Sequence, residues 1–348
     1  MSVGPMAGRT LNDQRMKVVY AVSFYWTVSI LLVFLNKESM NRLDAPIFIT
    51  WTQVVTAVIG CAILSHMRRS TPMLSFFPEF EFRMNVALQV LPLTLTFIAM
   101  VTFNNLCLQY VNVSFYQVAR SLTIVFNVIF TWYLMGQKTS PKALAAVATV
   151  VAGYVIGSWS ELSLETLSFR GSIYGVLASV FVSLYAINVK KALAAVNDDK
   201  WLLMIYNNML AMFLMPPLIF VFNETTAILE NPVVYTTSFW TTFIFFTGVF
   251  GFLINIATYA QIQATSPLTH NISGTAKSAF QSVMALVLLS ETISKAGAFG
   301  LFLVIGGSFA YGWVRDSEMK TSAPPAADFK KILDEDDFEM DDLPSEPA

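Results

Sequence analysis

Runs of about 20 apolar residues, nearly free of charge, recur along the whole chain, and the short polar breaks between them hold most of the lysines and arginines. A helix rises about 1.5 Å per residue, so each run is long enough to cross a hydrocarbon layer of ~30 Å. Ten such segments are predicted, at 17–36, 46–65, 85–108, 113–135, 141–159, 171–190, 201–222, 237–263, 267–289 and 296–314. The expected fold class is an all-α membrane protein of ten transmembrane helices. Residues 1–16 are short and polar, and no small-residue cleavage site follows the first run. They are expected to be a cytosolic N-terminal segment, not a signal peptide.

Composition sharpens this picture. Of 348 residues, 55% are hydrophobic and 13% charged, about half the charge of a soluble domain. That excludes a soluble enzyme, a disulfide scaffold and a disordered chain. The two cysteines, Cys61 and Cys107, both lie inside apolar runs. The net charge of -2 is unevenly placed, because residues 316–348 hold 11 of the 23 acids and only 3 bases. With four prolines as well, that stretch is expected to be a disordered acidic cytosolic tail. Residues 1–315 carry 18 bases against 12 acids. That balance suits an anionic cargo, although basic cytosolic loops give the same sum. With a cytosolic N-terminus, 13 Lys/Arg fall in cytosolic segments, and 4 (Lys37, Arg42, Arg170 and Lys295) fall on the other face. The positive-inside bias therefore places both termini in the cytosol.

The chain also divides into two similar halves, 17–159 and 171–315. A shift of 154 places YLMGQKTS (133–140) on VLLSETIS (287–294), Gln109 on Gln263 and Gly153 on Gly307. Five spans per half means that the second half is inserted upside down. Such inverted repeats are typical of secondary transporters, whose cargo site lies near the midplane. Short connections between spans would also give similar spacing without any repeat.

Two residues are costly where they stand. Arg120 lies within the fourth segment and Lys277 within the ninth, and no acid lies deep in any segment to neutralise them. A charge at the centre of a spanning helix costs about 2.5–3.5 kcal/mol on insertion scales. It persists where it meets a partner or a watery cavity, so an anion from outside is implied. The shift places Arg120 on Gly274, one helical turn from Lys277, so the two cations are expected to face one cavity. Amides accompany them: Asn104 and Asn105, then Tyr206-Asn207-Asn208, then Thr269, His270, Asn271, Ser273 and Thr275. Amide groups donate and accept together, which suits the edge of a nucleobase. Interhelical bonding is the plainer role for any single Asn or Ser. Two histidines without an HExxH pattern give no metal or catalytic set, and no cofactor or nucleic acid is called for. Gly153-xxx-Gly157 and Gly171-xxx-Gly175 are expected to serve helix packing.

Three stretches carry a resemblance: FLNKESMNRLDAPIFITW (34–51), TFNNLCLQYVNVSFYQVARSLTIVFNV (102–128) and SPLTHNISGTAKS (266–278). They resemble the nucleotide-sugar transporters of the drug/metabolite transporter superfamily, and among these most closely the GDP-fucose transporters of the Golgi. The likeness covers about 15–320. Relatives that carry other GDP-sugars have FYNN and GALNK motifs. Here the first reads Ile205-Tyr206-Asn207-Asn208 and the second Ser273-Gly274-Thr275-Ala276-Lys277. The resemblance implies a Golgi antiporter of GDP-fucose and GMP, with Tyr206, Asn207 and Asn208 on guanosine and Arg120 and Lys277 on phosphate. It makes Thr269, Asn271 and Ser273 candidates for the sugar end, with Gly274, Thr275, Asn104, Asn105 and Tyr116 lining the cavity. Lys37 stands as a further cation at the lumenal mouth or as a snorkelling helix-end residue. Another GDP- or UDP-sugar, a phosphate-linked metabolite exported on the same fold, the endoplasmic reticulum and a homodimer all stay open.

Overall fold

The computed structural model describes residues 5–322 apart from 69, 71–76, 80, 137, 164–167, 265–266 and 289–292. Stretches such as 5–15, 160–163, 267–272 and 275 are described by backbone alone. All regular structure among the described residues is helical. The helices are α1 (Pro5–Arg42), α2 (Pro46–Met67), α3 (Met84–Tyr110), α4 (Val113–Ser121), α5 (Thr123–Met135), α6 (Pro141–Ser163) and α7 (Phe169–Leu193). They continue with α8 (Lys200–Leu214), α9 (Pro216–Val221), α10 (Glu224–Glu230), α11 (Phe245–Ala264), α12 (Pro267–Leu288) and α13 (Lys295–Ser322). Among the described residues, nine helices are long and apolar enough to cross a membrane, α4–α5 and α8–α9 counting as one each. The chain is an all-α multi-pass membrane protein. α12, of 22 residues, is not among the nine and carries Lys277, Gln281 and Ser282 along its length.

Local chemistry sets most boundaries. Pro46 and Pro141 open α2 and α6, where a missing N–H costs nothing. Asp199 caps α8, its Oδ1 accepting from Trp201 N and Leu202 N at 2.9 and 3.1 Å. Gly136, at φ 65°, ends α5 in the left-handed region that suits glycine. The fourth and seventh segments, expected to be continuous, are both broken. α8 stops at Met215, because Pro216 and Pro217 offer no N–H to the ladder. α4 stops at Ser121, and Leu122 N reaches back only three residues to Ala119 O (3.1 Å). Two helices also overrun the expected boundaries. α1 starts well before residue 17, and α13 continues to Ser322. Residues 323–348, most of the acidic tail, lie outside the described residues.

The packing repeats with a shift of five spans. α3 lies along α7 and α1 along α11, α2 packs on α11 and α3 on α8, and α6 pairs with α13. The last pair is the tightest, and glycine makes it so. A Cβ at Gly153 would stand 2.7 Å from the Gly300 carbonyl oxygen, and one at Gly307 would stand 3.1 Å from the Ala146 oxygen. The 154-residue shift turns the first contact into the second. The glycine pair Gly171 and Gly175 likewise admits Val111 and Ala119.

The two ends of the bundle differ. At the end away from α8's first turn, Leu43, Ala45, Val111, Val113 and Phe115 close into a buried cluster. Two charged side chains hold it. The Lys37 ammonium donates to the carbonyls of Leu108, Gln109 and Val111 (2.6, 3.3 and 2.9 Å), which end α3. The Glu224 carboxylate accepts from Ile47 N and Phe48 N (2.9 and 2.8 Å), which begin α2. Burial pushes the Glu224 carboxyl up to about 7, against the two amide donors that favour its ionised form.

Two predictions follow from this packing. Gly300→Ala forces Cβ against the Gly153 backbone and costs about 1–3 kcal/mol, whereas Gly306→Ala, with nothing within 4 Å, is harmless. Thermal unfolding in detergent separates the two. A carboxyl whose pKa is raised on folding contributes fully below its ordinary 4.5, and that contribution is lost as pH rises through about 7. The midpoint difference between wild type and Glu224→Gln is therefore expected to shrink or reverse from pH 5 to pH 8, and a constant difference would contradict it.

Candidate functional site

A cavity of about 540 Å³ runs inward from Lys200 and Trp201 at the first turn of α8. It reaches down to Asn36, Thr50 and Tyr116, just above the closed cluster. The space is in the range of small-molecule sites, about 300–1,000 Å³. Its wall is mostly apolar, with a set of amides and a single arginine.

That arginine is Arg120. Protein surrounds it on every side, yet its side chain is solvent-accessible, as a group on an internal cavity wall must be. Its position next to the α4–α5 break places the guanidinium beside irregular backbone, a common feature of transporter sites. Guanidinium Nη1 donates to the Tyr116 hydroxyl (3.4 Å). The hydroxyl donates to Asn104 Oδ1 (3.1 Å), and Asn104 Nδ2 donates to the Met100 carbonyl (2.8 Å). Backbone thus fixes the amide, the amide fixes the phenol, and the phenol orients the fork. Among the described residues no carboxylate pairs with Arg120 or with Lys277.

Lys277 is 3% exposed and is not among the residues lining the cavity. Its ammonium donates to Ser29 Oγ (2.6 Å) and stands 5.5 Å from the centre of the Tyr25 ring. Arg120 is near enough for the two charges to repel, and Tyr25 lies within electrostatic reach of Arg120. The second cation is therefore parked beside the cavity, on α1.

The other candidates divide. Asn207 and Asn208 line the cavity. Asn207 Oδ1 is buried with no hydrogen-bond partner among the described residues, and Asn208 Nδ2 donates to the Met204 carbonyl (2.9 Å). Tyr206 turns the other way. Its hydroxyl donates to the Glu81 carbonyl and accepts from Arg83 N, both at 2.8 Å, which ties α8 to the start of α3. Asn104, Asn105 and Tyr116 line the cavity as expected. Ser273 Oγ accepts from Trp26 Nε1 and Gln261 Nε2, both at 2.8 Å, which is a packing role. Gly274 has open space around it. The side chains of Thr269, Asn271 and Thr275 lie outside the described residues. Lys37 sits on the carbonyls that end α3, away from the cavity. Sequence reasoning passed over Tyr25, Ser29, Asn36 and Gln53. Ser29, Asn36 and Gln53 did carry a signal, as polar residues inside apolar runs.

A family model for the triose-phosphate transporters matches residues 16–312. The chain belongs to that family. It is 42% identical over 333 residues to a protein of Monosiga brevicollis named GDP-fucose transporter 1, across 94% of this chain and 100% of that one. A Dictyostelium discoideum protein of the same name is 45% identical over 305 residues, 87% of this chain and 82% of its own. A Drosophila melanogaster protein named "GDP-fucose transporter, Golgi" is 37% identical over 314 residues, 89% and 93% of the two chains. The likeness to nucleotide-sugar transporters carried by the three sequence stretches is borne out.

A buried ammonium held, among the described residues, by a hydroxyl and an aromatic face is a weak brace, and replacing buried charge by apolar volume is often neutral or stabilising. Lys277→Met is therefore expected to leave the unfolding midpoint of the empty protein unchanged or raised. A clear drop in detergent would make Lys277 a structural brace.

Proposed function

We propose that the chain is a nucleotide-sugar antiporter carrying GDP-fucose from the cytosol into the Golgi lumen in exchange for GMP. The observation that carries the proposal is the Arg120 guanidinium, oriented by Tyr116 and lacking a carboxylate partner among the described residues, on the wall of an amide-lined cavity. The names of the relatives supply the sugar nucleotide, and the Drosophila protein's name supplies the Golgi. The 13-to-4 distribution of Lys and Arg favours cytosolic termini. In that orientation the cavity mouth beside Lys200 opens to the cytosol, and the cluster held by Lys37 and Glu224 closes the lumenal side.

In this reading phosphate binds Arg120 through paired N–H donors, and its charge offsets the repulsion that keeps Lys277 on Ser29. Lys277 then turns toward the same anion and draws α12 and α1 toward α4. Cargo thus stabilises the closed arrangement more than the open one, which is what coupling of transport to binding requires. GMP supplies an anion to the same two cations on the return, while the empty site leaves them repelling. Asn207 Oδ1, an acceptor without a donor among the described residues, suits the N–H groups on the guanine edge. The packing that recurs with a shift of five spans supports two inverted halves rocking about a central site.

The test is GMP–GDP-fucose exchange in proteoliposomes, normalised to folded protein. Asn207→Ala is expected to cost about 1–3 kcal/mol of cargo affinity. Arg120→Lys should be poor as well, because a compact ammonium lacks the planar fork. Normal exchange per folded molecule in both variants would overturn the assignment. Equal exchange of a UDP-sugar would overturn the guanine reading alone.

A further inference from the structure

If the base meets Asn207 and Asn208 and the diphosphate meets Arg120, the sugar must lie on the side of the diphosphate away from the base, and the ninth-span serine expected there already accepts from Trp26 and Gln261. We propose that a neutral hexosyl group is held by three amides at the deep end of the cavity, Asn36 on α1, Gln53 on α2 and Asn105 on α3. This rests on the nucleotide-sugar reading and extends it to the sugar.

Depth is the first support. Asn36, Gln53 and Asn105 each stand about 8–10 Å along their helices from the closed end, by residue counting at 1.5 Å per residue. Arg120 stands at the same depth on α4, and Asn207 stands about 10 Å in from the opposite end on α8. A ligand running from Asn207 to Arg120 therefore presents its remaining end to these amides. All three line the same cavity as Arg120.

Their bonding is the second support. Gln53 Nε2 donates to Asn36 Oδ1 at 2.7 Å, which fixes both amides and leaves Gln53 Oε1 and the Asn36 N–H groups for a ligand. Asn105 Nδ2 donates to the Thr50 hydroxyl, which donates to the Pro46 carbonyl (2.7 Å), so the Asn105 oxygen is also held in place. Acceptors and donors are thus interleaved, and hydroxyls that both donate and accept match that pattern. Leu32, Val54 and Ala57 line the cavity on the same helices and give an apolar surface, which suits a deoxy-sugar's methyl group. On α11, Gly251 leaves room for the pair, since a Cβ there would stand 3.3 Å from Gln53 Cβ.

The test measures affinities of the purified full chain for GMP, GDP and GDP-fucose by calorimetry and reads the ratio of GDP-fucose to GDP affinity. In Gln53→Ala and Asn36→Ala that ratio is expected to fall roughly tenfold, the loss of one or two polar contacts. Gly251→Ala crowds Gln53 without removing a polar atom, and it should lower the same ratio where an amide variant does not fold. An unchanged ratio, with GDP and GDP-fucose weakened together, would make the amides helix braces and overturn the proposal. Wild type that binds GMP and GDP but gains nothing from the sugar would also overturn it, while leaving the nucleotide reading intact. Failure of wild type to bind any of the three would refute both.

Discussion

Two positive charges stand inside an apolar bundle, and among the described residues neither meets a carboxylate. Its place on the open cavity wall and a tyrosine–asparagine relay make Arg120 tolerable. Lys277 is tolerated through one serine hydroxyl and the face of Tyr25. Both arrangements are weaker than an ion pair, and the two charges repel. Among the described residues the interior is therefore short of an anion, a shortage that a phosphate-bearing cargo relieves under the proposed function.

The rest of the scaffold holds those charges beside a cavity that opens at the α8 end and is closed at the other. Glycines on α6 and α13 let backbones touch, and the contact of Gly153 with Gly300 recurs as that of Gly307 with Ala146. Charges are spent differently at the closed end. Lys37 gathers the final carbonyls of α3, and Glu224 gathers the first amides of α2, each satisfying backbone groups that helix ends leave open. Both are polar groups partnered by backbone, which is why they differ in kind from Arg120. Asn231, just past the end of α10, which Glu224 begins, donates to the Arg42 carbonyl (3.0 Å), so the α1–α2 turn is fastened twice.

Much of this was legible in the sequence, because lipid imposes a simple rule on span length and charge. Apolar runs located the helices, and the deep positions of Arg120 and Lys277 marked them without any structure. What sequence could not supply was direction. Tyr206 and Asn207 are neighbours in one motif, yet successive helix residues point about 100° apart, so one bonds α3 while the other faces the cavity. Ser273 looked like a ligand group until Trp26 and Gln261, far apart in sequence, met on it. The break at Leu122 has no proline or glycine to announce it, and it arises where Ser179 also bonds the Ala119 carbonyl (2.8 Å). Asn36 and Gln53 were visible as polar residues in apolar runs, but only packing brings them together.

The central claim is that Arg120 and Lys277 act on one anion although only the first lines the empty cavity. A double-mutant cycle on GMP affinity, with Arg120→Gln, Lys277→Gln and both together, measures this directly. Cations sharing one phosphate give strong non-additivity, with a coupling of about 1 kcal/mol or more, because each loses its purpose without the other. Simple addition of the two single effects, within about 0.5 kcal/mol, would mean that the charges act independently and would contradict the account.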